Sequence, residues 1–161
     1  MSAEIIISEY QPEHHDAFRN MNVEWLERYG LMETHDMLVL DDPKGTVLDR
    51  AGYIWMAFDG DLPIGSAAIM KAHEEGVYEI AKMAVVPSHQ GRGVSKLLME
   101  KCVEKAKEIG VKKLILFSNH QLTKAIALYE KFGFRHVKVT DSPFVTADVR
   151  MELDLVPVNE N

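Results

Sequence analysis

The sequence predicts an α+β fold: a three-layer αβα sandwich in which one mixed sheet of about seven strands carries about four helices on its faces. The chain has 161 residues, the size of one ordinary domain, and 47% of them are hydrophobic, enough for a substantial core. Apolar residues recur first at helical spacing and then in short runs typical of strands. Glycine-containing turns separate the strand-like runs, which indicates antiparallel hairpins.

The first third of the chain predicts one strand and two helices. Three consecutive isoleucines indicate a strand over 3–10. Apolar residues at helical spacing between a proline and a glycine predict a helix over 12–30. A shorter helix is expected over 33–41, followed by a loop over 43–52, where a proline and two glycines fall close together.

The middle of the chain predicts three successive antiparallel strands, over 53–58, 62–72 and 77–86. The turns between them contain Gly60 and Gly76, and glycine adopts the positive φ that tight turns require. The remaining expected elements are a helix over 94–109, a strand over 113–118, a helix over 122–132, and strands over 134–139 and 147–155. No repeat or long linker interrupts this order, so we expect one domain over 1–157 and a frayed tail over 158–161.

The composition argues against several classes of protein. No apolar run approaches the ~20 residues that span a bilayer, and the N-terminus lacks the basic and apolar stretches of a signal peptide. A single cysteine, Cys102, excludes an internal disulfide and a cysteine-based metal cage. The histidines are scattered without metal-ligand spacing. We therefore expect a cytoplasmic protein that uses no metal and no membrane.

The net charge of −7 is unevenly distributed. Residues 1–61 hold 13 acidic and 4 basic residues, whereas residues 82–138 hold 12 basic and 4 acidic ones. This asymmetry predicts two surfaces for ligands of opposite charge. The alternative is that the basic residues only cover solvated helix faces. Because the whole chain is acidic and exposed aromatic residues do not interleave with the basic ones, nucleic acid is not an expected partner.

A loop between a predicted strand and a predicted helix has the features of a phosphate site. Gly91 and Gly93 let backbone N–H groups approach a ligand closely, and the following helix adds unpaired N–H groups and the positive end of its dipole. Arg92 and Lys96 add positive charge. The sequence matches neither the Walker loop nor the dinucleotide fingerprint. Two glycines before a helix are weak evidence alone, and a plain turn is the alternative.

The surrounding sequence resembles the GNAT acetyltransferase superfamily. The resemblance rests on V-x-P-x-x-Q-G-x-G at 85–93, on Asn119, and on A-I-A-L-Y-E-K-F-G-F at 125–134. It covers residues 77–134 in detail and the element order across about 3–155. It implies a GNAT-like fold and an acetyl-CoA-dependent N-acetyltransferase. One position departs from the pattern, because Ser95 stands where the family usually has Gly or Ala.

The resemblance also implies where acetyl-CoA is held. The glycine loop would bind its pyrophosphate, the backbone of Met83 and Val85 would bond the pantetheine arm, and Asn119 would bond a pantetheine amide. Asn119 has an alternative role as a helix cap. His89, next to the loop, is a further candidate contact. The expected cofactor-binding residues are Met83, Ala84, Val85, Gln90, Gly91, Arg92, Gly93, Val94, Ser95, Asn119, Ala125 and Tyr129.

Two residues are candidates for acid–base catalysis. By resemblance, Tyr129 reaches the cofactor sulfur and acts as the acid; the alternative is a core tyrosine, since it belongs to an apolar helical stripe. Glu79 is the candidate base, because acidic residues near this position often accept a proton through water in the family. The alternatives for Glu79 are a solvated strand residue and a partner for Lys82.

The acceptor is expected to be a primary amine of a small molecule or peptide, acetylated directly in a ternary complex. The acidic first third predicts that the amine is cationic, and acidic and aromatic side chains together suit such a ligand. Candidate contacts are Glu24, Trp25, Tyr29 and Glu33, with Asp36, Tyr53 and Trp55 nearby. A homodimer is possible, as in many family members. The alternative function is a non-catalytic acyl-CoA sensor of the same fold.

Overall fold

The computed structural model describes residues 4–155 of the chain, which contain seven strands and five α-helices. The strands are β1 (Ile5–Glu9), β2 (Tyr53–Asp59), β3 (Leu62–Lys71), β4 (Val77–Val85), β5 (Lys113–Ser118), β6 (Arg135–Val137) and β7 (Val149–Asp154). The helices are α1 (His15–Arg28), α2 (Thr34–Asp41), α3 (Pro43–Thr46), α4 (Val94–Glu108) and α5 (Thr123–Lys131). The strands form one mixed sheet in the order β1-β2-β3-β4-β5-β7-β6, which confirms the predicted fold class.

Helices cover both faces of the sheet because successive residues of each strand point to opposite sides. On one face, α4 packs against Trp55 and Ala57 of β2. On the other face, α1 and α2 pack against Ile54 and Met56 of the same strand. Phe18 of α1 is fully buried at the centre of this second core. The packing in these two cores positions the helices relative to the sheet. The helices and the sheet together form the walls of the site described below.

Two expectations for the first third need correction. The helix expected over 12–30 begins as a 3-10 turn at Pro12–His14 and is α-helical only over His15–Arg28. The loop expected over 43–52 contains helix α3 and a 3-10 turn at Leu48–Arg50. Pro43 stands in the first turn of α3, where its missing N–H costs nothing, and the Asp42 carboxylate accepts a hydrogen bond from Gly45 N at 3.0 Å. The frayed tail and the first residue of the predicted strand over 3–10 lie outside the described residues.

The two parallel strands of the sheet pair only along part of their length. β4 and β5 are in register from Val77 opposite Lys113 to Ile80 opposite Leu116. Beyond that point β4 continues to Val85 while staying paired with β3. The central sheet therefore opens between β4 and β5, and a ligand of extended shape can enter the gap.

A β-bulge lies in β4 where this gap begins. The pairing with β3 changes from Ala81 opposite Ala68 to Ala84 opposite Ser66, and Lys82 adopts a φ of +54°. An inserted residue reverses the alternation of side chains beyond it. Accordingly, Ile80 packs in the core under α4, whereas Ala84, four positions later, packs in the core under α1.

Candidate active site

A cavity of about 420 Å³ lies beside the gap, between the end of β4, the glycine loop and α5. We call it the loop cavity. All of the cofactor-binding residues expected from the sequence line it except Arg92 and Asn119. Lys96 and Lys124 also line it, which gives the cavity a positive electrostatic character.

The glycine loop is an open cradle of backbone N–H groups. Gly91 and Gly93 have φ values of +81° and +80°, and Gly93 is the N-cap of the 15-residue helix α4. No atom lies within 4 Å of the position that a side chain would take at either glycine, apart from neighbours in the chain. The first N–H groups of a helix have no intrahelical partner and favour an anion. The loop thus fits a phosphate group.

His89, which precedes the glycine loop, connects it to the hairpin of β2 and β3 through a side-chain contact. Its ring is buried, with Nε2 at 2.8 Å from Asp59 Oδ2 and Nδ1 at 2.8 Å from Ser88 Oγ. His89 also lines the loop cavity. Sequence reasoning missed Asp59, because it stands 30 positions away at the end of β2, next to a turn, where aspartate is common.

The end of β4 directs backbone donors into the gap. Val86 N donates to Ile64 O of β3 at 2.9 Å. Because successive peptide groups of a strand point to opposite edges, the N–H of Val85 points away from β3 and toward the gap. The Val85 carbonyl accepts a hydrogen bond from the Gln90 side chain at 3.1 Å, which links the strand end to the loop.

A second, smaller cavity of about 120 Å³ lies at the start of the gap, between β4, β5, α1 and α2. We call it the inner cavity. It contains Glu79, Asp36 and Lys82, and it shares Trp25, Met83 and Tyr129, among others, with the loop cavity. The two cavities therefore meet at Tyr129, so that ligands in each can approach one another there.

Glu79 is the carboxyl group of the inner cavity that makes no ion pair among residues 4–155. The pKa of Glu79 is raised to about 7, mainly by burial. The Asp36 carboxylate also raises this pKa, whereas the positive charges of Lys82 and Arg150 lower it. A carboxyl group with this pKa is partly ionised and partly protonated near neutral pH. It can therefore exchange a proton with a bound ligand under physiological conditions.

Tyr129 projects from α5 to the junction of the cavities and is 8% exposed. Burial raises the pKa of Tyr129 to about 12, so its hydroxyl keeps its proton and acts as a donor. Its ring also contacts the core under α4 and packs near Phe134, with ring centroids 6.2 Å apart. Tyr129 is therefore part of the core and also lines both cavities, while its contact with the cofactor sulfur stays a prediction.

Asn119 lines the inner cavity rather than the loop cavity. Its Nδ2 donates to Thr146 O at 2.9 Å, and its Oδ1 accepts from Gln121 N at 3.0 Å. The side chain therefore organises the turn between β5 and α5 and joins it to the segment before β7. A contact with a cofactor amide stays a prediction.

The candidate acceptor contacts separate into two groups. Trp25 lines both cavities and Tyr29 lines the loop cavity. Glu24 points outward, paired with Arg28 at 2.7 Å. The Glu33 carboxylate lies outside both linings and accepts hydrogen bonds from Val145 N, Thr146 N and Thr146 Oγ at 2.6–2.9 Å. These bonds lower the pKa of Glu33 although burial opposes them.

Tyr53 and Trp55, the candidate contacts named from β2, also lie outside the cavity linings. They stack on each other with ring centroids 6.2 Å apart. Both pack against the core under α4. The aromatic side chains of the inner cavity are instead Trp25, Phe117, Tyr129 and Phe144. Phe144 was missed because it lies in an irregular segment far along the chain.

A mixed sheet that parts between its two parallel strands, beside a glycine loop at a helix N-terminus, is the arrangement of the GNAT acyltransferase fold. The chain belongs to the acetyltransferase (GNAT) family, whose model matches residues 9–134. One relative, the uncharacterized N-acetyltransferase YvbK of Bacillus subtilis strain 168, is 31% identical over 115 residues, 70% of this chain and 73% of that protein.

Two solved structures share the fold. A GNAT-family acetyltransferase from Staphylococcus aureus Mu50 matches with a TM-score of 0.86 at 18% identity, covering 95% of this chain and 100% of the other. A Bacillus subtilis acetyltransferase, solved in complex with CoA, matches with a TM-score of 0.72 at 22% identity, again covering 95% and 100%.

Two other features, a metal-binding cluster and a membrane-spanning helix, are absent from residues 4–155. Within residues 4–155, no group of three or more His, Cys, Asp and Glu side chains is arranged to hold a metal ion. The helices of that same segment are all too short or too polar to cross a membrane.

Proposed function

We propose that this protein transfers the acetyl group of acetyl-CoA to a primary amine, by direct transfer in a ternary complex. The observation that carries the proposal is the meeting of two cavities at Tyr129, one beside a phosphate cradle and the other containing Glu79. The family supplies the reaction class. The complex of a structural neighbour with CoA supports the choice of donor.

The loop cavity fits the donor. Its glycine cradle, the N-terminus of α4 and Lys96 would hold the phosphates, and the parted strands would take the extended pantetheine arm. When bound, acetyl-CoA supplies an activated acetyl thioester. The Val85 N–H points into the gap and is placed to stabilise negative charge on the thioester oxygen as the amine attacks. Arg92 is exposed beside the loop and contributes positive charge without lining the cavity.

Glu79 acts as the base. An alkylammonium group with a pKa of about 10.4 is only roughly 0.04% neutral at pH 7, so the attacking nitrogen has to lose a proton first. The Glu79 carboxylate accepts that proton, directly or through a water molecule, because its pKa of about 7 leaves it partly ionised.

Tyr129 stabilises the departing sulfur by donating a hydrogen bond. Its pKa of about 12 lies well above the value of about 8.5 for a thiol, so complete proton transfer from the phenol to a thiolate is uphill by roughly 5 kcal/mol. Hydrogen-bond donation needs no such transfer: the sulfur leaves as the CoA thiolate, and the second proton of the amine nitrogen passes to that thiolate or to solvent. The hydroxyl keeps its proton across the working pH range and is available in every turnover.

Direct transfer agrees with the position of the cysteine. Cys102 is fully buried in the core under α4, and burial raises the pKa of its thiol far above neutrality. It lies outside the linings of both cavities. A covalent acetyl-cysteine step would need an accessible thiolate. The amine and the thioester can instead meet at the junction of the cavities.

The inner cavity suits an amine whose remaining part is apolar and can pack against aromatic side chains. Trp25 offers an aromatic ring to a cation, and Glu79 offers a carboxylate, whereas the Phe144 ring already covers Lys82. The acidic first third contributes less than its charge suggests, since Glu24 and Glu33 are engaged elsewhere and Asp36 is paired with Lys82. A cationic acceptor and a homodimer stay predictions.

Replacing Gly91 or Gly93 by Ala is expected to weaken CoA binding about tenfold. An L-residue in the left-handed region costs roughly 1–2 kcal/mol. The loop relieves this strain by changing its backbone conformation, and its N–H groups then no longer point at the phosphates. Gly110→Ala is the matched control, because Gly110 has the same φ of +81° and open space but lies at the other end of α4. Calorimetric titration with CoA measures the difference. Equal losses in all three variants would contradict the role of the loop.

A further inference from the structure

The inner cavity contains a buried ion pair that the proposed reaction does not use directly. Lys82 Nζ pairs with Asp36 Oδ1, and the two side chains are 5% and 3% exposed. A buried ion pair contributes little net stability, because taking both charges out of water costs about as much as their attraction returns. Its position in the wall of an active-site cavity therefore calls for a functional explanation.

The sheet is distorted in a way that brings this lysine to the cavity. In a regular strand, Lys82 would point to the face opposite Glu79, toward α4. The bulge, with φ of +54° at Lys82, turns its side chain to the α2 side, where Asp36 and Glu79 are. A non-glycine residue in this region is uncommon, and such strain concentrates at functional sites.

Other buried groups hold the distorted segment in place. Ser66 Oγ donates to the Lys82 carbonyl at 2.7 Å, and Asn22 Nδ2 donates to Ser66 Oγ at 2.9 Å. Asp36 also accepts a hydrogen bond from Glu33 N at 2.9 Å, as part of the capping box of α2. The Phe144 ring covers the ammonium group at 5.2 Å. Both members of the pair are therefore held by contacts beyond the pair itself.

We propose that Lys82, held by Asp36, is a positioning residue that tunes the proton affinity of Glu79 and thereby sets the pH range of the transfer reaction. This inference rests on the proposed role of Glu79 as the base. The charged groups that act on Glu79 are Lys82 from its own strand, Asp36 from α2 and Arg150 from β7. Tyr129 from α5 lines the same cavity and stays neutral near pH 7.

The two members of the pair act on Glu79 in opposite directions. The Lys82 ammonium stabilises the ionised carboxyl, whereas the Asp36 carboxylate destabilises it. Lys82→Met is therefore expected to move the titration of Glu79 to higher pH. Asp36→Asn is expected to move it to lower pH, each by on the order of one pH unit. Lys82→Arg keeps the charge and should stay close to the wild type.

The test is an infrared titration of the Glu79 carboxyl band in the protein without substrate, with Glu79→Gln as the baseline for subtraction. The expected result is a pair of opposite shifts in Lys82→Met and Asp36→Asn, repeated in the pH profiles of kcat/KM. An unchanged titration in Asp36→Asn, or shifts in one common direction, would overturn the proposal. If Lys82→Met does not fold, the direction of the shift in Asp36→Asn decides, with Lys82→Arg as the control that keeps the charge. Because the infrared readout needs no turnover, it separates failure of this inference from failure of the proposed reaction.

Discussion

Replacing Glu79 by Gln is expected to lower kcat/KM at pH 7 by about 10²–10⁴-fold, the usual contribution of a general base. In the wild type, kcat/KM should fall about tenfold per pH unit below the pKa of Glu79, which is about 7, because the protonated carboxyl cannot accept the amine's proton. Gln has the same shape and does not titrate, so this inflection should disappear. The measurement is the pH dependence of acetyl transfer between pH 5 and about pH 10.

The same variant should be more stable than the wild type above neutral pH. A carboxyl whose folded-state pKa is raised from 4.5 to about 7 destabilises the native state progressively as the pH rises through that interval. Gln removes this cost, on the order of 3 kcal/mol above pH 7. Loss of activity together with a higher unfolding temperature at pH 8 would separate a catalytic effect from misfolding. Glu104→Gln, on the exposed face of α4, is the control and should change neither property. A wild-type pH profile in Glu79→Gln would remove Glu79 from the mechanism.

Replacing Tyr129 by Phe is expected to lower kcat more than tenfold while the affinity for acetyl-CoA stays unchanged. The phenylalanine ring fills the same space at the junction of the cavities, so only the hydroxyl donor to the departing sulfur is lost. A hydrogen bond to a group that gains charge contributes roughly 1.5–3 kcal/mol, which corresponds to about 10–150-fold in rate.

Steady-state kinetics with acetyl-CoA and direct CoA binding measure the two parts of this prediction separately. Tyr10→Phe is the matched control, because Tyr10 packs against Phe18 in the other core and lies outside both cavities. The sulfur-side role of Tyr129 would be refuted by wild-type turnover in Tyr129→Phe. Equal losses in both variants would indicate a general effect of removing a tyrosine hydroxyl.

Local signals in the sequence were sufficient for most of the fold. Isoleucine runs, glycine turns and the helical stripe of α5 each depend on neighbours within a few positions, so the strands and the long helices were predictable. The segment over 43–52 was not, because a single helical turn capped by Asp42 has the same composition as a loop. The bulge at Lys82 was not predictable either. It depends on the buried partners Ser66 and Asn22, which are distant in sequence.

The candidate site also contains residues that local sequence predicts and contacts that it does not. The glycine loop and Tyr129 belong to the motifs at 85–93 and 125–134, and Glu79 stands six residues before the first of them, so naming them as candidates needed no three-dimensional information. The Asp36–Lys82 pair and the contact between His89 and Asp59 join residues that are 46 and 30 positions apart, so local patterns could not predict them. The cationic acceptor that the acidic first third suggests stays a prediction, although Glu24 and Glu33 are engaged with Arg28 and Val145. Net charge of a segment does not show which way its side chains face.

In the proposed reaction, acetyl-CoA and an amine react where the two cavities meet. The most direct test is the release of free thiol from acetyl-CoA in the presence of a panel of primary amines that includes amino acids, polyamines and peptides, with thermal stabilisation by CoA recorded in parallel. The result expected is stabilisation by CoA together with amine-dependent thiol release that Glu79→Gln and Tyr129→Phe diminish. Stabilisation without release on any amine would support a non-catalytic sensor, and no stabilisation at millimolar CoA would contradict both the donor site and the reaction.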